Sequence, residues 1–138
     1  MIGLDTNVLA RYYIDDDADA ESQRQRSAAR RLMESGQPLM VCKSVILELE
    51  WVMRGYYGFA QAQVASVFRH LLDQTHIIVE DRESVAQALS NCDAGIDFAD
   101  ALHHASYRSC TSVATFDDRK FARRAKKLGM TPAIMVLA

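Results

Sequence analysis

Short apolar runs alternate along the chain with longer stretches whose apolar residues recur at helical spacing. The short runs predict buried strands over residues 2–4, 39–42, 76–79, 112–114 and 133–137. The longer stretches predict helices over residues 7–13, 19–35, 43–54, 60–73, 81–90, 97–109 and 118–128, several of which end near glycine. Strands that alternate with helices predict an α/β fold, with a mainly parallel sheet that helices cover on both faces.

The same pattern predicts which side chains face the core and which begin the helices. Inward positions are expected at Ala20, Ala28, Leu32 and Met33, at Val45, Leu49, Val52 and Met53, and at Val85, Ala86 and Leu89. Trp51, Tyr56 and Tyr57 are expected in the core or at an interface. Ser44 and Asp97 are suitable N-cap residues, and the acidic run Asp15-Asp16-Asp17 is expected in a loop.

Length and composition narrow the class of protein. A chain of 138 residues has the size of one domain, so we expect a single domain over residues 1–138. Its 49% hydrophobic and 25% charged residues are typical of a globular protein rather than a disordered one. We expect a cytoplasmic protein with no membrane association, because no apolar run is long enough to span a bilayer and the first residues lack a signal-peptide pattern. Cys42, Cys92 and Cys110 lack the spacing of a zinc site and are expected as buried or incidental thiols.

Charge is unevenly distributed, although the formal net charge is only −2. That total argues against nucleic-acid binding by bulk charge. Basic residues nevertheless crowd two segments, with Arg30 and Arg31 in one and Arg123 and Arg124 in the other. Such clusters are either solvated helix faces or, if the acids hold a divalent metal ion, contacts for nucleic-acid phosphates.

Asp5 stands where the first predicted strand gives way to a helix. One interpretation is that Asp5, Thr6 and Asn7 only begin the helix, by accepting hydrogen bonds from its free N–H groups. The other is a functional site, since ligands in open α/β sheets bind outside the carboxyl ends of the strands.

Three further acids occupy comparable positions and favour the second interpretation. Glu48 lies in the helix after the second strand, Asp100 in a helix's first turn, and Asp117 after a late strand. Parallel strands place their carboxyl ends at one edge, so these four carboxylates are expected to meet. Their repulsion requires a cation, and hard oxygen donors suit Mg²⁺ or Mn²⁺. Such an ion activates water and offsets charge on a phosphodiester.

Other acids and the histidines compete less well for this role. Glu50 lies two residues after Glu48 and so points elsewhere on the helix, while Asp97 and Asp118 are candidate capping residues. Asp97 is also a candidate for positioning metal or water from behind the ligands. The histidines, which are His70, His76, His103 and His104, are not expected to bind metal.

Four motifs in order give the chain a family resemblance. They are Leu4-Asp5-Thr6-Asn7-Val8, Ser44 to Leu49 with Glu48, Asp97-Phe98-Ala99-Asp100-Ala101-Leu102, and Thr115-Phe116-Asp117. With these motifs the chain resembles the PIN-domain ribonucleases, and more closely the VapC-type toxins of toxin–antitoxin pairs.

The resemblance implies a three-layer PIN-like fold with four to five strands and a metal-dependent endoribonuclease that cuts RNA such as tRNA or rRNA. It implies that Asp5, Glu48, Asp100 and Asp117 bind Mg²⁺ or Mn²⁺, and that Asn7 and Thr115 support them by hydrogen bonds. It also implies a homodimer and a small VapB-type antitoxin that covers the active-site groove. The alternative function is a catalytically inactive PIN-like module that binds RNA or a protein; retention of all four acids favours the enzyme.

Overall fold

Strands and helices alternate in the computed structural model, which describes residues 1–16 and 19–138. The strands in this part of the chain are β1 (Ile2–Gly3), β2 (Leu39–Val41), β3 (Ile77–Val79), β4 (Ser112–Thr115) and β5 (Ala133–Val136). The α-helices are α1 (Thr6–Tyr13), α2 (Ala20–Met33), α3 (Lys43–Trp51), α4 (Gln61–Asp73), α5 (Arg82–Asp93), α6 (Phe98–Ser106) and α7 (Phe121–Lys127). A π-helix, Val52–Tyr56, continues α3 directly. The strand pairs are parallel, which confirms the predicted α/β class.

The chain divides into two compact units, Met1–Arg82 and Glu83–Ala138, which we call unit 1 and unit 2. Unit 1 holds a three-stranded sheet in the order β1-β2-β3, and unit 2 holds the pair β4-β5. The expected five strands are therefore present as two hydrogen-bonded sheets. No helix in residues 1–16 or 19–138 is long and apolar enough to cross a membrane.

The carboxyl ends of the unit 1 strands lie at one edge because the strands are parallel. Ile2 pairs with Leu39, and Met40 pairs with Ile78. At this edge the backbone N–H of Lys43 donates to Glu80 Oε1 at 2.7 Å, and Lys43 Nζ lies 2.8 Å from Asp81 Oδ2. These bonds tie the start of α3 to the residues that follow β3.

The core of unit 1 lies between the sheet and its helices. Its fully buried side chains include Leu9 of α1, Leu39 and Val41 of β2, Leu49 of α3 and Phe68 of α4. Each such aliphatic or aromatic side chain contributes about 1.5–3 kcal/mol through burial. Helices α1 and α3 contact each other, and this contact helps to fix the residues that begin them.

Unit 2 pairs β4 with β5 along four residues, from Ser112 with Ala133 to Thr115 with Val136. Its core contains Val85 of α5, Ala101 of α6 and Ala125 of α7. His104 is only 2% exposed, and its Nε2 lies 2.7 Å from the carbonyl oxygen of Pro132. This contact joins α6 to the segment that leads into β5.

One predicted N-cap and one predicted helix start are wrong. The N-cap of α3 is Cys42, not Ser44, because the carboxylate of Glu80 accepts the first N–H of the helix in place of a local side chain. Ser44 Oγ instead lies 3.2 Å from Cys42 Sγ. Helix α7 begins at Phe121 rather than near Asp118, because the Asp117 carboxylate accepts the Lys120 N–H and holds the intervening residues in a turn.

Several burial predictions are also wrong. Ile2 is 40% exposed because β1 is the outer strand of its three-stranded sheet. Trp51 and Tyr56 are exposed, which excludes the core alternative for them and leaves the interface alternative as a prediction. The buried faces of α2 and α5 include Ala29 and Ala88, whereas the predicted Ala20, Ala28 and Ala86 are exposed. Alanine carries too little apolar surface to distinguish neighbouring helix positions by sequence pattern alone.

Candidate active site

Asp5 and Glu48 lie along one cavity of unit 1. This cavity has a volume of about 300 Å³, and Asn7 also lines it. Asp5 follows β1, and Glu48 lies in α3, which starts where β2 ends. Both side chains are exposed. The parallel sheet thus brings together acids that are distant in sequence, because the helices after β1 and β2 begin at the same sheet edge.

Asp5 is also the N-cap of α1. Its backbone is extended, with φ −83° and ψ 160°, and its Oδ1 accepts a hydrogen bond from the Thr6 N–H at 2.8 Å. An N-cap of this kind typically stabilises a protein by about 1 kcal/mol. The bond engages one of the two carboxylate oxygens, so capping does not exclude a second role as a ligand.

Glu50, the competitor of Glu48, has a different environment. It is 4% exposed, and its Oε2 accepts a hydrogen bond from Arg54 Nε at 2.7 Å. A buried carboxylate needs a partner of this kind, because an uncompensated charge away from water is costly. The structure therefore gives Glu50 a part in the packing of unit 1 and leaves Glu48 on the cavity.

Unit 2 brings Asp97, Asp100 and Asp117 near one another. Asp97 is the N-cap of α6, and its Oδ2 accepts from the Asp100 N–H at 3.4 Å. Burial raises the pKa of Asp100 above its ordinary value, and the negative charges of Asp97 and Asp117 raise it further, while His103 opposes them. The charges of Asp97 and Asp117 therefore add to burial in disfavouring the charged form of Asp100.

Asp117 sits in a turn that Thr115 supports. The Asp117 N–H donates to Thr115 Oγ1 at 3.1 Å, and Asp117 Oδ1 accepts from the Lys120 N–H at 3.0 Å. Backbone hydrogen bonds, that of Lys120 first, lower the pKa of Asp117. Thr115 thus positions the backbone of Asp117, and Lys120 holds its carboxylate in the charged form.

Asp100→Asn should raise the melting temperature of the metal-free protein at neutral pH. The native pKa of Asp100 lies above its unfolded value, so between these two values the native state holds a proton that the unfolded state has lost. The free energy of unfolding therefore falls as pH rises through this window, and the penalty is complete above the native pKa. Thermal melts in EDTA from pH 3 to 8 should show that this loss of stability with rising pH is smaller in the variant than in the parental protein.

Asp117→Asn is the matched control for this measurement. The pKa of Asp117 is lowered, so its charged form stabilises the native state above the unfolded pKa, and this stabilisation is lost as pH falls through the native pKa. Its replacement should therefore not raise the melting temperature at neutral pH as that of Asp100 does. An Asp100→Asn protein that melts below the parental protein in EDTA at pH 7 would contradict the repulsion.

The four candidate RNA-binding arginines lie on two helices. Arg30 and Arg31 are exposed on the last turn of α2, and Arg123 and Arg124 are exposed on α7. Arg124 donates to the carbonyl oxygen of Gly95. Arg123 lines a cavity of about 480 Å³ in unit 2 that also includes Asp118.

Among the charged and aromatic residues that line the cavity, Arg11, Asp16 and Tyr57 were not singled out from the sequence as site residues. Arg11 lies four residues after Asn7, and this spacing on α1 is a signal that could have found it. Asp16 belongs to the acidic run that was expected in a loop, and it lies in neither a helix nor a strand. Asp17 of the same run lies outside the described residues. Tyr57 follows a π-helix, which has no clear signature in the apolar pattern.

Histidine and cysteine side chains have other contacts. His76 Nε2 lies 2.7 Å from the Met33 carbonyl oxygen, and His70 Nδ1 lies 2.7 Å from the Tyr13 hydroxyl.

Across residues 1–16 and 19–138, no three or more His, Cys, Asp or Glu side chains are grouped so that they could hold a metal ion. The proximity of the unit 2 acids is thus enough to shift a pKa but does not amount to a preassembled metal cluster.

Comparison with known proteins assigns the family. A search of curated proteins found no match. The model of the PIN domain family matches residues 2–127, which include elements of both units and every acid considered above. PIN domains are generally metal-dependent nucleases. With its parallel α/β fold and a match over most of its length, the chain belongs to the PIN domain family.

Proposed function

We propose that this protein is a divalent-metal-dependent endoribonuclease of the VapC type, the toxin of a toxin–antitoxin pair. Its substrate is RNA such as tRNA or rRNA, and the reaction is hydrolysis of an internal phosphodiester bond. Asp5, Glu48, Asp100 and Asp117 are its catalytic acids. Asn7, Thr115 and Asp97 position them.

The observation that carries this proposal is the shared cavity of Asp5 and Glu48 in a member of a nuclease family. Two exposed carboxylates on one cavity have no evident role in packing, in contrast to the buried and paired Glu50. Asp97, Asp100 and Asp117 supply further carboxylates from unit 2. Within unit 2 the negative charges of Asp97 and Asp117 act on Asp100, and a bound cation would offset this repulsion when the enzyme works.

The donors fit Mg²⁺ or Mn²⁺, since carboxylate oxygens are the hard ligands that these ions prefer. We assign the ligand role to the four catalytic acids. When bound, a divalent ion supplies activation of the attacking water and neutralisation of charge on the phosphodiester. Asp97 fixes the first turn of α6 and thereby the position of Asp100, and Thr115 does the same for the backbone of Asp117.

A second candidate function is an inactive module that binds RNA or a protein without cutting RNA. It is favoured by the lack, within residues 1–16 and 19–138, of a group of three or more metal-binding side chains. The two functions differ in their need for metal. A binding module should hold RNA equally well in EDTA and in Mg²⁺ and should leave it intact.

The test is RNA cleavage by the purified protein, followed on denaturing gels. A mixture of tRNA and rRNA should be cut internally with Mg²⁺ or Mn²⁺, and excess EDTA should stop the reaction. Restoration of cleavage by added Mn²⁺ would exclude irreversible damage by the chelator. RNA that stays intact at every metal concentration, while still binding the protein, would support the inactive module instead.

We also propose that residues 1–138 act as one PIN domain, and the family match, which runs through both units, supports this. The protein is then a cytoplasmic homodimer, and a VapB-type antitoxin inhibits it by covering the active-site groove. Light scattering of the purified protein tests the dimer. Co-expression with the product of an adjacent small gene, followed by co-purification, tests the antitoxin.

Removal of charge from the basic clusters should weaken RNA binding without regard to sequence. The double variants Arg30→Gln with Arg31→Gln, and Arg123→Gln with Arg124→Gln, each remove two possible phosphate contacts. For single-stranded RNA, each lost contact should reduce the slope of log affinity against log salt by about 0.7. Filter binding at several salt concentrations measures this slope, and parental slopes in both variants would show that these arginines belong only to solvated helix faces.

A further inference from the structure

The unit 1 cavity extends beyond Asp5 and Glu48 to an arginine and a tyrosine. Arg11 lines it from α1, and Tyr57 lines it from the segment after the π-helix. Its volume of about 300 Å³ lies at the lower end of the range for small-ligand sites, which suits a single nucleotide better than a large ligand. Candidates to bind a base and a phosphate are therefore present next to Asp5 and Glu48.

The π-helix determines which tyrosine reaches this cavity. In a regular α-helix, Tyr56 would continue the face of Glu48 and Val52, because residues four apart share a face. Here the Tyr57 N–H donates to the Val52 carbonyl oxygen at 3.1 Å, five residues back, so the wider turn puts Tyr57 on that face. Tyr57 is half-buried on the cavity, whereas Tyr56 is 74% exposed.

Two contacts hold the ring of Tyr57 in place. Its hydroxyl donates to Asp16 Oδ2 at 3.1 Å, and its ring meets that of Tyr56 edge to face with centroids 4.8 Å apart. A fixed aromatic ring loses little conformational freedom when a base stacks on it. Stacking of this kind accepts any base, because every base has a π face.

Among the described residues that line the cavity, Arg11 is the only one with a positively charged side chain. Its Nε donates to Gln25 Oε1 at 2.8 Å. Because glutamine is uncharged, this bond orients the guanidinium group without neutralising it. A guanidinium group offers several N–H donors in a planar fork that matches phosphate oxygens.

We infer that this cavity is a subsite for one nucleotide of single-stranded RNA, with the base stacked on Tyr57 and a phosphate bound by Arg11. The RNA is single-stranded because a base within a duplex is not free to stack on a side chain. The inference rests on the proposed RNA cleavage and adds the residues that seat the substrate beside the acids. Tyr57 and Arg11 are binding residues in this scheme and take no part in proton transfer.

Binding of a fluorescent single-stranded RNA oligonucleotide tests the role of Tyr57. The measurement is made in EDTA, and a gel of the recovered RNA checks that it is intact. Tyr57→Leu should weaken binding roughly ten- to a hundredfold, as expected for one lost base stack. Tyr57→Phe keeps the ring and loses only the bond to Asp16, so its affinity should stay within about threefold of the parental value. Tyr107→Leu makes the same change at an exposed tyrosine that does not line this cavity, so it is the matched control and should bind as the parental protein does.

The role of Arg11 is tested by salt dependence. Arg11→Gln should reduce the slope of log affinity against log salt by about 0.7, the value for one phosphate contact on a single strand. Arg24→Gln is the control, since Arg24 is exposed on α2 and pairs with Glu21 outside the cavity. An unchanged slope for Arg11→Gln would remove the phosphate contact from the inference.

These results separate the subsite from the proposed function. If the parental protein cuts RNA but Tyr57→Leu binds RNA as tightly as Tyr107→Leu, the subsite is wrong and the ribonuclease stands. If the parental protein neither binds nor cuts RNA, both are wrong.

Thermal melts of each variant identify any variant that fails to fold. A folded Tyr57→Phe variant that loses affinity as severely as Tyr57→Leu would also overturn the stacking role.

Discussion

Asp5→Asn and Asp100→Asn should each lower the rate of RNA cleavage by at least about a hundredfold, since loss of groups that merely orient metal ligands already costs up to that much. The amide keeps the shape of the side chain and removes the charge that attracts a divalent ion. Asn is also a strong N-cap residue, so Asp5→Asn should preserve the start of α1. Initial rates on one RNA at saturating Mn²⁺, measured beside thermal melts, provide the comparison.

Asp73→Asn is a suitable control for these variants. Asp73 is an exposed acid at the end of α4 and does not line the cavity of Asp5 and Glu48. Its replacement changes the net charge by the same amount and should leave cleavage unchanged. If Asp5→Asn and Asp100→Asn both cut RNA at the parental rate, the assignment of the catalytic acids is wrong.

Mn²⁺ should stabilise the folded protein strongly. An ion that binds only the native state adds about 2.7 kcal/mol when its free concentration is a hundred times its dissociation constant. For a chain of 138 residues this corresponds to a rise in melting temperature of roughly 9 °C. Part of the gain comes from relief of the repulsion that raises the pKa of Asp100. Melts in EDTA and over a Mn²⁺ series at pH 7 measure the rise.

Variants of the acids test whether Mn²⁺ stabilises the protein through these side chains. Asp5→Asn and Asp100→Asn should both respond less to Mn²⁺ than the parental protein, while Asp73→Asn should respond fully. A parental melting temperature that ignores millimolar Mn²⁺ would show that the carboxylates bind no metal in the native state. It would favour the inactive module over the nuclease.

Sequence pattern was sufficient for the order and type of the main elements. Strands β2 and β3 and helices α1 and α4 lie close to their predicted bounds. Each contains several large apolar residues at the spacing of a strand or of a helix, so the pattern predicts one type of element clearly. Asp97 caps α6 as expected, since an acid before an apolar-periodic segment carries a local signal. The PIN family was also recognisable from the order of four short motifs, and the family match confirms it.

Other features depend on contacts between distant residues. Glu80 caps α3 from the end of β3, so the local candidate Ser44 loses that role to a side chain that only the folded sheet brings close. Burial of Glu50 likewise follows from the packing of α3 and from Arg54, and no local rule separates Glu50 from Glu48 in exposure. Tertiary structure overrides local preference here because the nearest partner in space is not the nearest in sequence.

The amino-acid sequence by itself determined the α/β class, the family and a set of acids with the right chemistry for metal. Only the tertiary structure showed that Glu48, which the sequence favoured over Glu50, lines a cavity with Asp5, and that the charges of Asp97 and Asp117 act on Asp100. It also decided that Tyr57 rather than Tyr56 faces this cavity, because a single π-turn shifts the helical face by one residue. Periodicity assigns residues to faces only while the helical repeat is constant, and the change of repeat at Val52 has no signal in the apolar pattern of the sequence.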